Sequence, residues 1–135
     1  MKIVNDERGA ALVEFAIVLP LLLLLIGGII QFGFIFNGQI TLTSAVREGA
    51  RHAVVGNSDI DVKDKVKNSS VALMLEIDED DISIIDEVDE NGNEAKRVNA
   101  KGTVLVFMPF MGFLKKDDKP YIELTASSIM RNEKF

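Results

Sequence analysis

Hydrophobic and polar positions divide the chain into three stretches with different periods. From Ala10 to Phe36 runs an apolar segment of 27 residues in which Glu14 is the only ionisable side chain and Gln31 the only other strongly polar one. Leu19, Leu21 to Leu25, Ile26, Ile29 and Ile30 leave it apolar on every face, a pattern that fits lipid better than a one-sided protein core. As a helix the run is about 40 Å long, more than the ~30 Å hydrocarbon core of a bilayer. A chain of 135 residues has too little protein left over to surround such a helix, so a membrane span is the expected element. Pro20 removes one backbone hydrogen bond inside it and favours a kink. Gly27, Gly28 and Gly33 loosen it and admit another backbone closely.

Beyond Asn37 and Gly38 the pattern turns amphipathic without a stop. Ala45, Gly49 and Ala53 recur every four residues, Val46, Ala50 and Val54 lie beside them, and Arg47, Glu48 and Arg51 fall elsewhere, which is helical spacing. The small side chains form a seam for close packing, either of the chain's own outer domain or of another subunit. Gly56 and Asn57 supply a stop. One helix from about residue 10 to 55 is expected, with its transmembrane part at 12–36.

The third stretch alternates short elements. Ser58 or Asp59 can cap a second helix running to about Leu75, with Val62, Val66 and Leu73 on one face and Lys63, Lys65 and Lys67 on a solvated one. Two β-rich runs, 82–85 and 97–107, flank a turn around Asn91 and Gly92 and read as a hairpin. A third strand covers about 121–131. The fold expected is α+β: a long N-terminal transmembrane helix, a second short helix and a small antiparallel sheet. The chain divides into a head at 1–9, the helix at 10–56 and an outer domain at 57–135. The apolar run 104–114 is too short for a second span. Its first half reads as a buried strand; Phe110, Met111 and Phe113 either face a partner or the membrane surface, or pack on the core.

Charge narrows the partners. From Arg47 onward there are 13 basic against 18 acidic residues, a solubilising surface that argues against nucleic acid. Lys2 and Arg8 precede the apolar run and no basic residue follows it until Arg47, so the positive-inside tendency keeps the head cytoplasmic and sends the rest across. The chain has no cysteine, which excludes disulfides and cysteine-ligated zinc. Asp89, Asn91 and Gly92 echo part of a calcium-binding loop. Aligning Gly92 with that loop's glycine puts Val98 where a bidentate carboxylate is required, so a solvated hairpin tip is the better reading. The sole histidine, His52, has no nucleophile and base pattern beside it. No catalytic role and no cofactor are expected.

Glu14 is the most telling residue. A charge on an apolar helix costs roughly 2.5 to 3.5 kcal/mol at mid-bilayer, so ionisable groups there are rare and usually functional. The plain alternative is a carboxylate at the membrane edge near a helix N-terminus, where the macrodipole favours it. Arg8 and Gly9, then Ala10 to Val13, then Glu14 and Phe15 ahead of a hydrophobic segment, resemble the processing signal of type IVb (Flp-type) pilins and pseudopilins. The continuation is similar to the TadE-like branch of that family: Ala16, Leu19 and Pro20, Gly27 and Gly28, and the run Ala45, Val46, Arg47, Glu48, Gly49, Ala50, Arg51. The ending from Ala126 to Glu133 resembles the family's last strand.

That resemblance implies that a membrane-embedded prepilin peptidase cuts between Gly9 and Ala10 and removes a nine-residue leader. Glu14 then lies four residues from the new ammonium terminus, one turn along the helix, and can pair with it within one chain; the resemblance implies that in such filaments it meets the terminus of an adjacent subunit, with Phe15 beside it. The implied protein is a minor pilin or pseudopilin of a tight-adherence pilus, held in the cytoplasmic (inner) membrane with its C-terminal domain outside. Its implied partners are the peptidase, other pilin or pseudopilin subunits, the membrane assembly platform and the lipid bilayer. Two other readings compete. One is a permanent single-pass membrane protein whose outer domain binds another envelope component. The other is a secreted domain released by signal peptidase near residue 46, where Thr43, Ser44 and Ala45 imitate a cleavage site well beyond the apolar run.

Overall fold

A computed structural model describes residues 7–72, 74–88, 92–107 and 121–131. Helix α1 spans Glu7–Val54 and passes unbroken through Pro20. Helix α2 is Asp59–Ser69. Four strands follow: β1 Leu75–Glu76, β2 Ile82–Val88, β3 Glu94–Leu105 and β4 Tyr121–Arg131, with a short 3₁₀ turn at Glu79–Asp81 ahead of β2. The α+β architecture expected from the pattern is the one observed, with β1 as an addition. The hairpin tip residues Asp89 and Asn91, the loop residues Phe110, Met111 and Phe113, and Leu73 lie outside the described residues.

Both helices end for local chemical reasons. Past α1, Gly56 takes a left-handed φ of +91°, which a residue without Cβ adopts freely. The Asn57 amide donates to the His52 carbonyl at 3.0 Å, satisfying one acceptor left over at the helix end. Ser58 then caps α2: its hydroxyl accepts the Asp61 N–H at 3.2 Å and donates to the Asp61 carboxylate at 2.6 Å. Asp59 and Asp61 in the first turn complement the helix dipole. Helix α2 stops at Ser69, short of the expected Leu75. The Ser70 hydroxyl and amide both bond the Lys67 carbonyl, at 2.8 and 3.2 Å, the kind of local side-chain bond that competes with helix. Leu75 instead joins the sheet opposite Val104.

Strand β3 is the axis of the sheet. Along one edge β4 pairs with it antiparallel over its full length, from Ala95 opposite Arg131 to Leu105 opposite Tyr121. The other edge is shared end to end: β2 pairs with residues 94–100, and β1 with 103 and 104. Alternate residues Val98, Ala100 and Val104 turn to α1, joined by Ile82 and Leu124. On the helical side the core is Leu42, Ala45, Val46, Ala50 and Ala53 from α1, with Val62 and Val66 from α2. The opposite face of the sheet carries Ser83, Asn99, Lys101, Thr125 and Ser127, all exposed or half-exposed. No described helix covers that face, which mixes these polar residues with exposed Ile85, Leu105 and Ile129.

Strand β3 runs antiparallel to α1 and beside it. Gln31 bonds Leu105 and Phe107, and Gly49 packs next to Val98. The helix rises about 27 Å between Gln31 and Gly49, and the strand about 30 Å between Phe107 and Val98. Nearly equal rises mean nearly parallel axes, so the end of β3 is the end of the domain closest to the apolar half of α1.

Candidate functional site

Among the described residues, no position of the helix below Gln31 is buried. Leu12, Val13, Phe15, Ile17, Leu21, Leu23, Leu25 and Ile29 are all exposed, and an 18-residue apolar window has no part of it buried. By length and composition α1 is able to cross a membrane. Glu14 and Phe15 stand exposed on this bare part of the helix, with Ala10 exposed and Gly9 half-buried at its start. Gly9 and Ala10 lie within the first helical turn.

From Gln31 upward one face of the same helix becomes protein interior. Gln31 is fully buried. Its amide nitrogen donates to the Leu105 carbonyl at 3.1 Å, and its amide oxygen accepts the Phe107 N–H at 3.1 Å. Both functions of the amide are matched, so burying it carries no unsatisfied group. Phe34 meets Phe107 edge-on with ring centres 6.1 Å apart. Higher up, the Gln39 amide donates to the Thr125 carbonyl at 3.1 Å. Sequence reasoning singled out Gln31 only as a polar interruption of the apolar run; its spacing gave no hint of a strand partner 74 positions away.

The small-residue seam faces the domain. Ala45, Gly49 and Ala53 are buried. A Cβ at Gly49 would sit inside van der Waals contact with the Val66 Cγ2, with Val98 and Val62 next nearest at 3.7 and 3.8 Å. Gly38 marks a second close approach, since a Cβ there would lie 3.0 Å from Val104 and 3.1 Å from Leu124. These two glycines let the sheet and α2 reach the helix backbone. Val46 and Ala45 are fully buried within the unbroken helix, so cutting near residue 46 would remove part of the core on which the α+β domain folds.

Charged residues of the same stretch form the rim of the seam. Glu48 receives two hydrogen bonds from Arg51, at 2.9 and 3.2 Å, and its carboxylate lies 3.7 Å from both His52 Nε2 and Lys65 Nζ. The Arg51 hydrogen bonds hold the Glu48 carboxyl below its ordinary range against a smaller opposing desolvation, with the Arg51, Lys65 and His52 charges adding to the lowering. The contact with Lys65 ties α1 to α2. His52 also meets the Asn57 amide at 3.2 Å, which places it in the helix-ending turn. Among the described residues, no group of three or more His, Asp or Glu side chains is placed to hold a metal ion.

Residues 9–51 match the family described as TadE-like protein. This part of the chain is similar to that family. The match begins at Gly9 and ends in the small-residue seam, so it covers both the bare lower helix and the part of α1 that carries the domain. Comparison with curated proteins gives no match, and comparison with solved structures gives none.

Proposed function

We propose that the chain is a minor pilin or pseudopilin subunit of a tight-adherence (Flp-type) pilus, processed after Gly9 and handed to the membrane assembly platform. The TadE-like match supports association with a Tad pilus. The observation that carries the finer reading is Glu14, a carboxylate exposed on a helix whose neighbouring surface is apolar. An uncompensated charge there is costly in lipid, and an ammonium created at Ala10, on this subunit or the next, offsets that cost. In this reading α1 crosses the cytoplasmic membrane with its N-terminus inside, the domain built on its upper half stands outside, and the chain is a substrate of prepilin peptidase and has no catalytic role of its own.

Mass spectrometry of the N-terminus in the native cell separates the proposal from a permanent membrane anchor whose outer domain binds another envelope component. A chain starting at Ala10 is expected; an intact leader on functional protein would leave only the anchor. Replacing Glu14 by Ala or Gln is expected to leave leader removal intact while incorporation into the pilus machinery fails. Normal assembly by both variants would remove the assigned role.

A further inference from the structure

We propose that the base of the outer domain is seated in the headgroup layer of the bilayer that α1 crosses, with Gln31 marking the level at which the helix leaves the hydrocarbon. The inference rests on α1 being a membrane span. Ala10 and Gln31 are twenty-one residues apart, about 31 Å of helix, which matches the ~30 Å hydrocarbon core. The domain therefore begins where the lipid tails end.

The part of the domain brought to that level is apolar. Gln31 fixes Leu105 and Phe107 beside the helix, and their side chains remain 47% and 43% exposed. Tyr121, the only tyrosine of the chain, is the cross-strand partner of Leu105. Met74, one residue before the Leu75 that pairs with Val104, is exposed at the same end. Phe36, five residues above Gln31 on α1, is 64% exposed. Among the described residues, charged side chains at this end of the sheet begin a row higher, where Glu76 and Glu123 both pair with Thr103, about 7 Å above Leu105.

A described row that is apolar and holds a tyrosine, with the described carboxylates above it, suits the boundary between lipid tails and headgroups. The bilayer is the occupant because this rim is continuous with the lipid-facing surface of α1. A headgroup layer of roughly 5 to 7 Å on each side takes in Phe107 and Leu105 at the level of Gln31 and leaves the row of Glu76 and Glu123 at its outer, hydrated edge.

The chain has no tryptophan, so single tryptophans report without background. Four full-length variants are placed in phosphatidylcholine and phosphatidylglycerol vesicles with brominated acyl chains: Phe107→Trp and Leu105→Trp at the base, Leu24→Trp in the span, and Val88→Trp at the far end of the sheet. The expected result is strong loss of emission at position 24, clear loss at 107 and 105 that deepens as bromine is moved toward the headgroup, and none at 88. Two base positions guard against one substitution disturbing the strand end, and circular dichroism of each variant checks that it is folded. Quenching at 24 with none at 107 or 105 in folded protein overturns the seating and leaves the span intact. Blue-shifted but unquenched emission at 107 overturns it too, since protein rather than lipid then covers the rim. Absence of quenching at 24 means that α1 is not in the bilayer, and the span reading falls first.

Discussion

The lower and upper halves of α1 belong to one helix and face different solvents. Between Leu12 and Ile30 large aliphatic side chains point outward all round, and none is buried. Between Gln31 and Ala53 the buried positions are mostly small, Gly38, Ala45, Gly49, Ala50 and Ala53, with Leu42 and Val46 among them. Large side chains where the neighbour is fluid and small ones where it is a strand or a second helix reflect a single rule. A fixed neighbour has to be fitted, and a backbone that must come close leaves no room for a Cβ. The two halves should therefore respond oppositely to the same kind of substitution.

The largest effect is expected at Gly49. Gly49→Leu drives a side chain into Val66, Val98 and Val62 and should cost about 3 kcal/mol of domain stability, the upper end of overpacking penalties. Denaturant unfolding of the full chain in micelles would measure it, and adding Val66→Ala should recover part of the loss. If Gly49→Leu proves silent, the seam is not the tight contact described. Next comes Gln31→Leu, which strands the Leu105 carbonyl and Phe107 N–H and should cost about 1 to 3 kcal/mol. Its signature is local, faster hydrogen exchange at the Phe107 amide with little change at Val98. Gly33, with nothing within 4 Å of a Cβ, should behave in the opposite sense. Gly33→Ala is expected to leave the domain unharmed and raise helix stability by up to about 1 kcal/mol.

The smallest effect is electrostatic and confined to the outer domain. Arg51 holds the Glu48 carboxyl low, Arg97 holds that of Glu87 low through bonds of 2.7 and 3.0 Å, and Lys67 does the same for Glu79. A carboxyl whose folded value is depressed contributes stability that is fully present above its unfolded range and is lost as pH falls through the folded value. Stability should thus decline modestly on acidification below about pH 4.5. Each pair is exposed, and the contribution shrinks further with salt. A pH titration of the unfolding midpoint at low and high ionic strength checks both signs.

Much of this division is legible in the sequence because periodicity records it. The all-round apolar run, the four-residue recurrence of Ala45, Gly49 and Ala53, the stop at Gly56 and the alternation along 121–131 each have one ready structural meaning. The end of α2 is less legible, since Val62 and Val66 continue a helical pattern toward Leu73 that the Ser70 bonds to Lys67 interrupt. Strand β1 is two residues long and leaves no period to read. Gln31 could be noticed but not interpreted: hydrogen bonds to backbone atoms 74 and 76 positions away depend on topology, which composition does not encode. Glu14 and Gly9 are legible as motif, and the fold adds that both lie on the part of α1 that no other element of the described structure covers.

Helix α1 passes from apolar surface to domain interior with no loop between them. The foot that a translocating machine could grip and the hub around which the sheet is laid are thus one rod, without a joint where motion could be lost. A pull or twist applied below Gln31 reaches Leu42 and Val46 directly. In the proposed pilus-subunit role, the domain would travel as cargo fixed to its own axle.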